Sequence, residues 1–343
     1  MRTRVCITID TEFTIGGAFA DPARHPVAEQ NVYCKVQDRS EGLGFMLDTF
    51  RRHQVQATFF VETVQRNYFR HDPMRAIAHQ VRDAGHEVEL HTHPCWDIFR
   101  HDDWRQRAKT ATRMDDFKDR ALEDSVALLE QGIDTFREWG LARPKAFRSG
   151  NLQHDATLYR ALAQVGIGYS SNIGTAIFDS GDPAYRLYSG HHERHGVIEA
   201  PVLSFSDWSL GSKKHLKSLT IAGTSFSETR TLLEKARAAG IPTVVILTHP
   251  FEYIHTRDPS FTHTRVHHVT QQRLRRLCAF LQQNQDHFEA CGLVHALDAD
   301  ARVSSQNTLL DVSLLQSLPR MAEQVIYDKY GHWALRRQSA TTS

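Results

Sequence analysis

The sequence predicts an α/β fold: a distorted (β/α) barrel of about seven parallel strands with a C-terminal helical extension. Three observations lead to this prediction. Short apolar runs rich in β-branched residues recur along the chain, stretches with helical spacing lie between them, and glycines mark helix ends at Gly85, Gly166 and Gly240. Strands that alternate with helices form parallel sheets, and seven or eight such units favour a closed sheet.

The elements follow one another in a regular order. Strand-like runs cover residues 5–10, 57–62, 88–91, 146–149, 167–173, 197–205, 244–249 and 293–297. Helical spacing is evident in the charged stretch 115–139, at Phe117, Ala121, Leu128 and Ile133, and again at Leu274, Leu277 and Leu281. No linker or internal repeat interrupts this order, so we expect one barrel domain over residues 1–300.

The last segment, residues 301–343, is expected to be a helical extension. Its apolar residues predict helical packing onto the barrel: Leu309, Leu310, Val312, Leu314, Leu315 and Leu318. The end LRRQSATTS is expected to be frayed.

Charge and composition exclude several classes of partner. The chain has 343 residues with 41 Lys+Arg against 40 Asp+Glu, which gives no electrostatic reason to expect nucleic acid or an anionic membrane surface as a partner. No apolar stretch approaches the roughly 18 to 20 residues of a membrane span, and no signal peptide is visible, so we expect a cytoplasmic protein. Five scattered cysteines without a CxxC pair predict free thiols. Nothing in the sequence indicates an oligomeric state.

Polar residues stand at the carboxyl ends of five predicted strands. They are Asp10 and Glu12, His91 and His93, Arg148 and Asn151, Asp207 and Trp208, and His249. In parallel α/β folds these ends line the functional site. Residues i and i+2 of an extended segment point the same way, so each of the first two pairs is expected to share one pocket.

Two imidazoles and one carboxylate in this set indicate a metal site. Histidine is the commonest metal ligand, and the chain has 21 histidines. Glu12, His91 and His93 would leave positions open for water and substrate, which is typical of a hydrolytic divalent-metal site. Asp10 then remains free to accept a proton from water.

On these motifs the chain resembles the NodB-homology polysaccharide deacetylases, carbohydrate esterase family 4. The family's motifs appear in its order as Asp10-Thr-Glu12, Gly85-His86-Glu87-Val88-Glu89-Leu90-His91, Arg148-Ser-Gly150, Asp207-Trp208 and Leu247-Thr-His249. The run Val55-Gln-Ala57-Thr58-Phe59-Phe60-Val61 is similar to the family's second strand. The resemblance covers roughly residues 3–250 and is specific as a set, although each motif alone is weak.

The resemblance implies a distorted (β/α) barrel and metal-dependent removal of an acyl group from a sugar. It implies that Asp10 is the general base, that Glu12 and His91 are metal ligands, and that Arg148 holds Asp10 ionised. It also implies that His249 is the general acid. Asp207 would then hydrogen-bond His249 and keep it cationic.

Two motifs depart from the family. The family's second motif has two histidines four residues apart, and the fourth residue after His91 is Cys95. Either His93 supplies the missing ligand, or Cys95 supplies a thiolate, or the metal is bound weakly. We favour His93, because Pro94 holds the segment extended and aims both imidazoles together. In the first motif the second carboxylate is Glu12, one methylene longer than the family's aspartate.

These residues lead to a hypothesis about function. We expect a divalent metal, zinc first, and a carbohydrate or glycan precursor with an N-acetyl or other acyl group, in cell-surface polysaccharide biosynthesis. Asn151, Trp208 and Tyr253 are candidate substrate contacts, and ordinary packing is the competing interpretation for Trp208 and Tyr253. Two alternatives stay open: hydrolysis of another C–N bond, and a catalytically inactive sugar-binding or scaffolding protein.

Overall fold

Parallel strands and helices alternate along the chain, as predicted. The computed structural model describes residues 2–111, 114–210, 213–256, 258, 260–300 and 306–313. The strands are β1 Thr3–Thr11, β2 Lys35–Val36, β3 Arg39–Ser40, β4 Thr58–Glu62, β5 Glu87–Thr92, β6 Ala146–Ser149, β7 Tyr169–Ser170, β8 His192–Arg194, β9 Val197–Glu199, β10 Ser204–Leu210, β11 Lys213–Ser218, β12 Thr243–Thr248, β13 Ile254–Thr256, β14 Thr264–Val266, β15 Phe288–Ala290 and β16 Leu310–Asp311.

Helices cover the sheet between these strands. They are α1 Gln30–Tyr33, α2 Leu43–His53, α3 Met74–Asp83, α4 Trp104–Thr110, α5 Leu122–Trp139, α6 Ala156–Gln164, α7 Phe226–Ala238, α8 His268–Gln283 and α9 Leu293–Ala299. The amphipathic helix α5 shows how such a helix is attached. It buries a face that includes Leu129, Ile133 and Phe136, and it ends at Gly140 in the left-handed conformation. Among the described helices, none is long and apolar enough to cross a membrane.

The main sheet is curled into the predicted distorted barrel. Its order is β12-β1-β4-β5-β6-β7-β9-β8, and every neighbouring pair is parallel except β8 with β9. β15 pairs with the first residues of β1. The chain after β9 returns to β12, where the Leu203 N–H donates to the Val245 carbonyl at 3.0 Å. This contact brings the two ends of the seven-strand parallel series together.

Strand alternation divides the side chains between two apolar clusters. The odd-numbered apolar residues of β1 belong to the larger cluster, which packs with the outer helices. Cys6 belongs to the smaller cluster with Phe60, inside the barrel. Because side chains two positions apart share a face, the inward series of β1 continues through Thr8 and Asp10 to Glu12.

The run 293–297 was expected to be a strand, and this expectation is wrong. It forms α9, whose apolar side chains close one end of the inner cluster. The Glu87 carboxylate accepts hydrogen bonds from the Val294 and His295 N–H groups at 3.0 and 2.9 Å, and from the Thr58 hydroxyl at 2.7 Å. A carboxylate from a distant strand thus accepts the free N–H groups in the first turn of the helix. The local sequence of α9 does not indicate this partner.

The helix predicted for the C-terminal extension is also wrong where the structure describes it. Residues 306–313 are extended, and β16 pairs in parallel with β10 at Phe205 and Leu310. The side chains of Leu310 and Val312 are buried. The open edge of the β10–β11 hairpin therefore recruits this segment as a strand. Leu314, Leu315, Leu318 and the polar end lie outside the described residues.

We predict that Glu87→Ala lowers the free energy of unfolding by about 2 kcal/mol, because two backbone N–H groups and a buried hydroxyl lose their acceptor. Urea denaturation followed by circular dichroism measures the change. Asp286→Ala, which removes an exposed carboxylate from the turn before β15, is the control and should leave stability nearly unchanged. Equal midpoints for both variants would contradict the capping role.

Candidate active site

The side chains predicted at the strand ends meet at the carboxyl edge of the barrel. They are Asp10 in β1 and Glu12 just after it, His91 in β5 and His93 just after it, Arg148 in β6, and His249 just after β12. The register of the sheet places His91 beside Arg148 on one neighbouring strand and beside Glu62 on the other. Parallel pairing thus converts separate sequence motifs into one cluster.

Glu12, His91 and His93 form the candidate metal centre. The Glu12 Oε2 atom lies 3.0 Å from His91 Nε2 and 2.7 Å from His93 Nε2. The three possible ligand atoms all lie within 4.8 Å of one another. The two-histidine, one-carboxylate set predicted from the i, i+2 spacing is therefore assembled around one point.

The hydrogen bonds on the far side of each imidazole show that this donor set suits a cation. His91 Nδ1 lies 2.8 Å from the Arg148 carbonyl oxygen, which can only accept, so His91 Nδ1 carries the hydrogen. His93 Nδ1 lies 2.7 Å from an Asp115 carboxylate oxygen. Both Nε2 atoms then turn towards the Glu12 carboxylate. Neutral imidazoles would present lone pairs there, and a divalent cation would satisfy all three groups.

The ionisation of the cluster follows from the same contacts. Burial alone would raise the pKa of Glu12, but His93 and His91 outweigh it and hold this pKa well below its usual range. Burial alone would lower the pKa of His93, whereas the carboxylates of Glu12 and Asp115 raise it well above its usual value. Without a metal, His93 is therefore an imidazolium between two carboxylates, and a metal would take the place of that proton.

Cys95, the alternative ligand, lies on the outer side of His93. Its thiol, His93 and Asp115 form a second group of close ligand atoms, and the Cys95 N–H donates to Asp115 at 3.2 Å. Burial and the Asp115 charge raise the pKa of the Cys95 thiol well above its usual value. The thiol stays protonated beside Asp115, so the geometry and the charges both favour His93 over a Cys95 thiolate.

Arg148 and Asp10 form a buried ion pair, as the resemblance implies. The Arg148 Nη1 atom lies 2.9 Å from Asp10 Oδ1 and also donates to the Thr8 hydroxyl at 2.8 Å. The other donors of Arg148 reach the Ser171 carbonyl and hydroxyl, each at 2.8 Å. The guanidinium carbon stands 4.5 Å from the centre of the Phe60 ring. Asp10 is thereby held in one orientation with its second oxygen free.

His249 lies on the other side of Asp10. Its Nε2 atom is 3.8 Å from Asp10 Oδ2, and its Nδ1 atom is 3.0 Å from Glu252 Oε1. Burial alone would lower the pKa of His249, but Glu252 and then Asp10 raise it to about 9. His249 is therefore cationic at neutral pH and has its Nε2–H directed towards the cluster.

The hydrogen bond predicted between Asp207 and His249 is wrong. Asp207 is buried in β10, and its carboxylate accepts from His215 Nδ1 at 2.6 Å across the β10–β11 hairpin. Trp208 stacks on the same His215 ring at 5.2 Å and is partly exposed. The hairpin carries these side chains together with His215, a partner that its sequence separation from Asp207 did not indicate.

The other two candidate substrate contacts have structural partners. Tyr253 is fully buried, and its hydroxyl lies 3.1 Å from the Thr248 hydroxyl, so its predicted place in the groove is wrong. Asn151 is exposed and donates to Asp115 at 2.7 Å from a left-handed backbone conformation. Gly150, before it, makes room for His93, because a Cβ atom there would overlap the His93 ring.

Three carboxylates at the site were missed by the sequence reasoning. Glu62 is fully buried at the end of β4 and accepts from the Val64 and His93 N–H groups. Asp115 orients His93, and Glu252 orients His249. Glu62 has the feature that identified the predicted site residues, an inward position at the end of a strand. The loop residue Asp115 carried none, and the turn residue Glu252 carried only its position three residues after His249.

A cavity of about 520 Å³ opens beside Glu12 and His93. Its apolar lining consists of Phe13, Ile15, Cys95, Trp96, Phe251 and Phe261. Polar side chains such as Asn31, Thr256 and Asp258 also line it. Its size and mixed lining suit a small organic group held next to the metal centre. Among the described residues that line it, none of the three predicted substrate contacts appears.

Comparison with known proteins finds one family model that matches the central part of the chain. A family model for polysaccharide deacetylases matches residues 37–170. This segment contains His91, His93 and Arg148, whereas Asp10, Glu12 and His249 lie outside it. The resemblance predicted from the motifs is thus confirmed for this segment. No curated protein sequence matches the chain.

The chain is also similar to solved structures. A crystal structure of a Mycobacterium smegmatis protein assigned to the polysaccharide deacetylases is 17% identical, with 90% of this chain and 93% of that chain covered and a TM-score of 0.53. A family 4 carbohydrate esterase from Streptomyces lividans, solved with acetate, is 12% identical, with 90% and 98% covered and a TM-score of 0.42. Peptidoglycan deacetylase from Bacillus subtilis is 10% identical, with 88% and 92% covered and a TM-score of 0.39. The similarity to the first of these supports the fold alone.

We predict that His93→Ala weakens zinc binding by more than the roughly 10- to 100-fold that loss of an outer-shell partner costs. Cys95→Ser should leave the zinc affinity nearly unchanged, because the thiol is protonated and faces Asp115. Competition titration with a chromophoric chelator measures both affinities. Cys278→Ser, at another buried free cysteine, controls for packing. A loss in Cys95→Ser as large as that in His93→Ala would identify a thiolate ligand instead.

Proposed function

We propose that the chain is a hydrolase that removes an N-acyl group from a carbohydrate or glycan precursor by cleaving a non-peptide C–N bond. Acetyl is the simplest such group. The match of residues 37–170 to the polysaccharide deacetylase family model supports this proposal. The observation that carries this proposal is the position of Asp10. It is paired with buried Arg148 on one side, faces His249 on the other, and lies two residues from the candidate metal ligand Glu12.

Asp10 has the geometry of a general base. Its Oδ1 atom is occupied by Arg148, so Oδ2 is the atom that accepts a proton from water. The guanidinium fixes the orientation of Asp10, while Thr8 and Ser171 hold the guanidinium itself. A base that does not reorient during the reaction loses no rate to that motion.

His249 has the geometry and charge of a general acid. Its Nδ1–H is bound to Glu252, so the proton available for transfer is on Nε2. As the C–N bond breaks, its electron pair goes to the nitrogen, which takes the Nε2 proton of His249. Asp10 and His249 thus serve opposite proton transfers on the two sides of one reacting group.

We propose that Glu12, His91 and His93 hold a divalent cation, zinc first, because two imidazoles and one carboxylate match the ligands of catalytic zinc sites. When bound, such an ion supplies Lewis-acid stabilisation of negative charge on oxygen. Asp115 and the Arg148 carbonyl orient the two imidazoles for this role. The cytoplasmic location, a role in glycan assembly before export and the predicted contact of Trp208 with sugar stay predictions.

Freshly purified protein is expected to contain a divalent metal, and a strong chelator should lower its melting temperature, because ligand binding to the folded state stabilises it. Elemental analysis and differential scanning fluorimetry measure both. If the protein contains no metal and the chelator leaves its melting temperature unchanged, the alternative of a non-catalytic sugar-binding protein is favoured.

Asp10→Asn is predicted to lower the deacetylation rate by about 10²- to 10⁴-fold, because the general base is lost while the hydrogen bond to Arg148 remains. The assay measures acetate released from oligomers of N-acetylglucosamine. Metal content should stay unchanged in the variant, and Asp286→Asn, at an exposed position, should match the wild type. An unchanged rate in Asp10→Asn would refute the assigned role.

A further inference from the structure

We propose that Glu252, and not the family-motif residue Asp207, is the positioning residue for His249. This inference rests on the proposed function, because it concerns the histidine that would protonate the leaving nitrogen. Glu252 touches no reacting atom in this arrangement. It acts through His249, by selecting the tautomer of the ring and holding its plane.

The contacts of Glu252 fix both of its oxygens. Oε1 faces His249 Nδ1 at 3.0 Å. Oε2 accepts the Thr248 hydroxyl at 2.7 Å and the His249 N–H at 3.2 Å. Thr248 is the last residue of β12, His249 caps the turn Pro250–Tyr253, and Glu252 lies within that turn. The carboxylate is therefore attached to the backbone that also carries the ring, and the two cannot drift apart.

The remaining groups around His249 complete its environment. Asp10 Oδ2 faces Nε2 at 3.8 Å, and Glu12 adds a more distant negative charge. Phe251 stacks on the ring at 4.8 Å. Asp207 binds His215 on the β10–β11 hairpin. Among the described residues, Glu252 makes the contact that leaves Nε2 as the site of the transferable proton.

Glu252 also sets the pH range in which His249 carries a proton to donate. Its negative charge stabilises the imidazolium and is the largest influence raising the pKa of His249 to about 9. Replacing that charge by a neutral amide of the same shape would let burial return the pKa of His249 towards or below its ordinary value of about 6.5. The variant would then lose its acid as the pH rises through neutrality, whereas the wild type would keep it.

The test compares Glu252→Gln with Asp207→Asn. Histidine ¹⁵N NMR titration of the protein without substrate follows the ring of His249, assigned with His249→Gln. We expect Glu252→Gln to lower the titration midpoint of His249 and Asp207→Asn to leave it in place. In the deacetylation assay, the alkaline limb of the pH profile of kcat/KM should shift to lower pH together with the His249 midpoint. Glu252→Gln should then lose about tenfold in activity relative to wild type at pH 8. Glu252→Asp keeps the negative charge and should restore much of the activity on the alkaline side of the profile.

The outcomes separate this inference from the proposed function. A midpoint unaltered by Glu252→Gln, or lowered by Asp207→Asn, would overturn the inference even if the protein deacetylates its substrate. A lowered midpoint in Glu252→Gln in a protein without deacetylase activity would support the positioning role and reject the proposed function. Should Glu252→Gln fail to fold, the wild-type titration decides: a His249 midpoint near 6.5 would overturn the inference.

Discussion

The buried guanidinium of Arg148 is the interaction on which the rest of the site depends. Its side chain is fully buried, and its donors reach Thr8 and Asp10 in β1 and Ser171 after β7. The backbone carbonyl of Arg148 accepts a hydrogen bond from His91 in β5. A buried charge is costly unless it is paired and hydrogen-bonded, and here each of the three guanidinium nitrogens has a partner. One residue of β6 thus ties the base, a candidate metal ligand and strands on both sides of it into a fixed geometry.

Each working imidazole is held at Nδ1 by an oxygen atom. The partner is a carbonyl for His91, the Asp115 carboxylate for His93 and the Glu252 carboxylate for His249. In every case the hydrogen is on Nδ1, and the Nε2 atom faces the centre of the site. The charge of the partner does not by itself decide the role, because a carboxylate holds both the candidate ligand His93 and the candidate acid His249. What differs is the group that faces Nε2, which is the Glu12 carboxylate for His93 and Asp10 for His249.

The replacement of a family histidine by Cys95 is accommodated by a local change of spacing. In the extended segment after β5, His93 has the same orientation as His91, so two residues are enough to bring a second imidazole to Glu12. Gly150 leaves the space that the His93 ring fills. Asp115, anchored by Asn151 and the Cys95 N–H, then fixes the ring. These contacts favour His93 over Cys95 as the third candidate ligand.

The sequence by itself determined the barrel and the inward face of its strands, because a period of two decides which side chains share a face. That alternation alone is enough to group Asp10 with Glu12 and His91 with His93. Only the tertiary structure decided the partners of these residues. Glu252 is only three residues from His249, and it meets the ring because the chain forms a tight turn at Pro250. Asp115 reaches His93 from a loop 22 residues further along the chain, and Asp207 is turned to His215 by a hairpin, because such contacts follow from loop paths rather than from periodicity. The same reason explains α9 and β16: a carboxylate of β5 and an open edge of β10 decided the conformation of short apolar runs that fit a helix or a strand equally well.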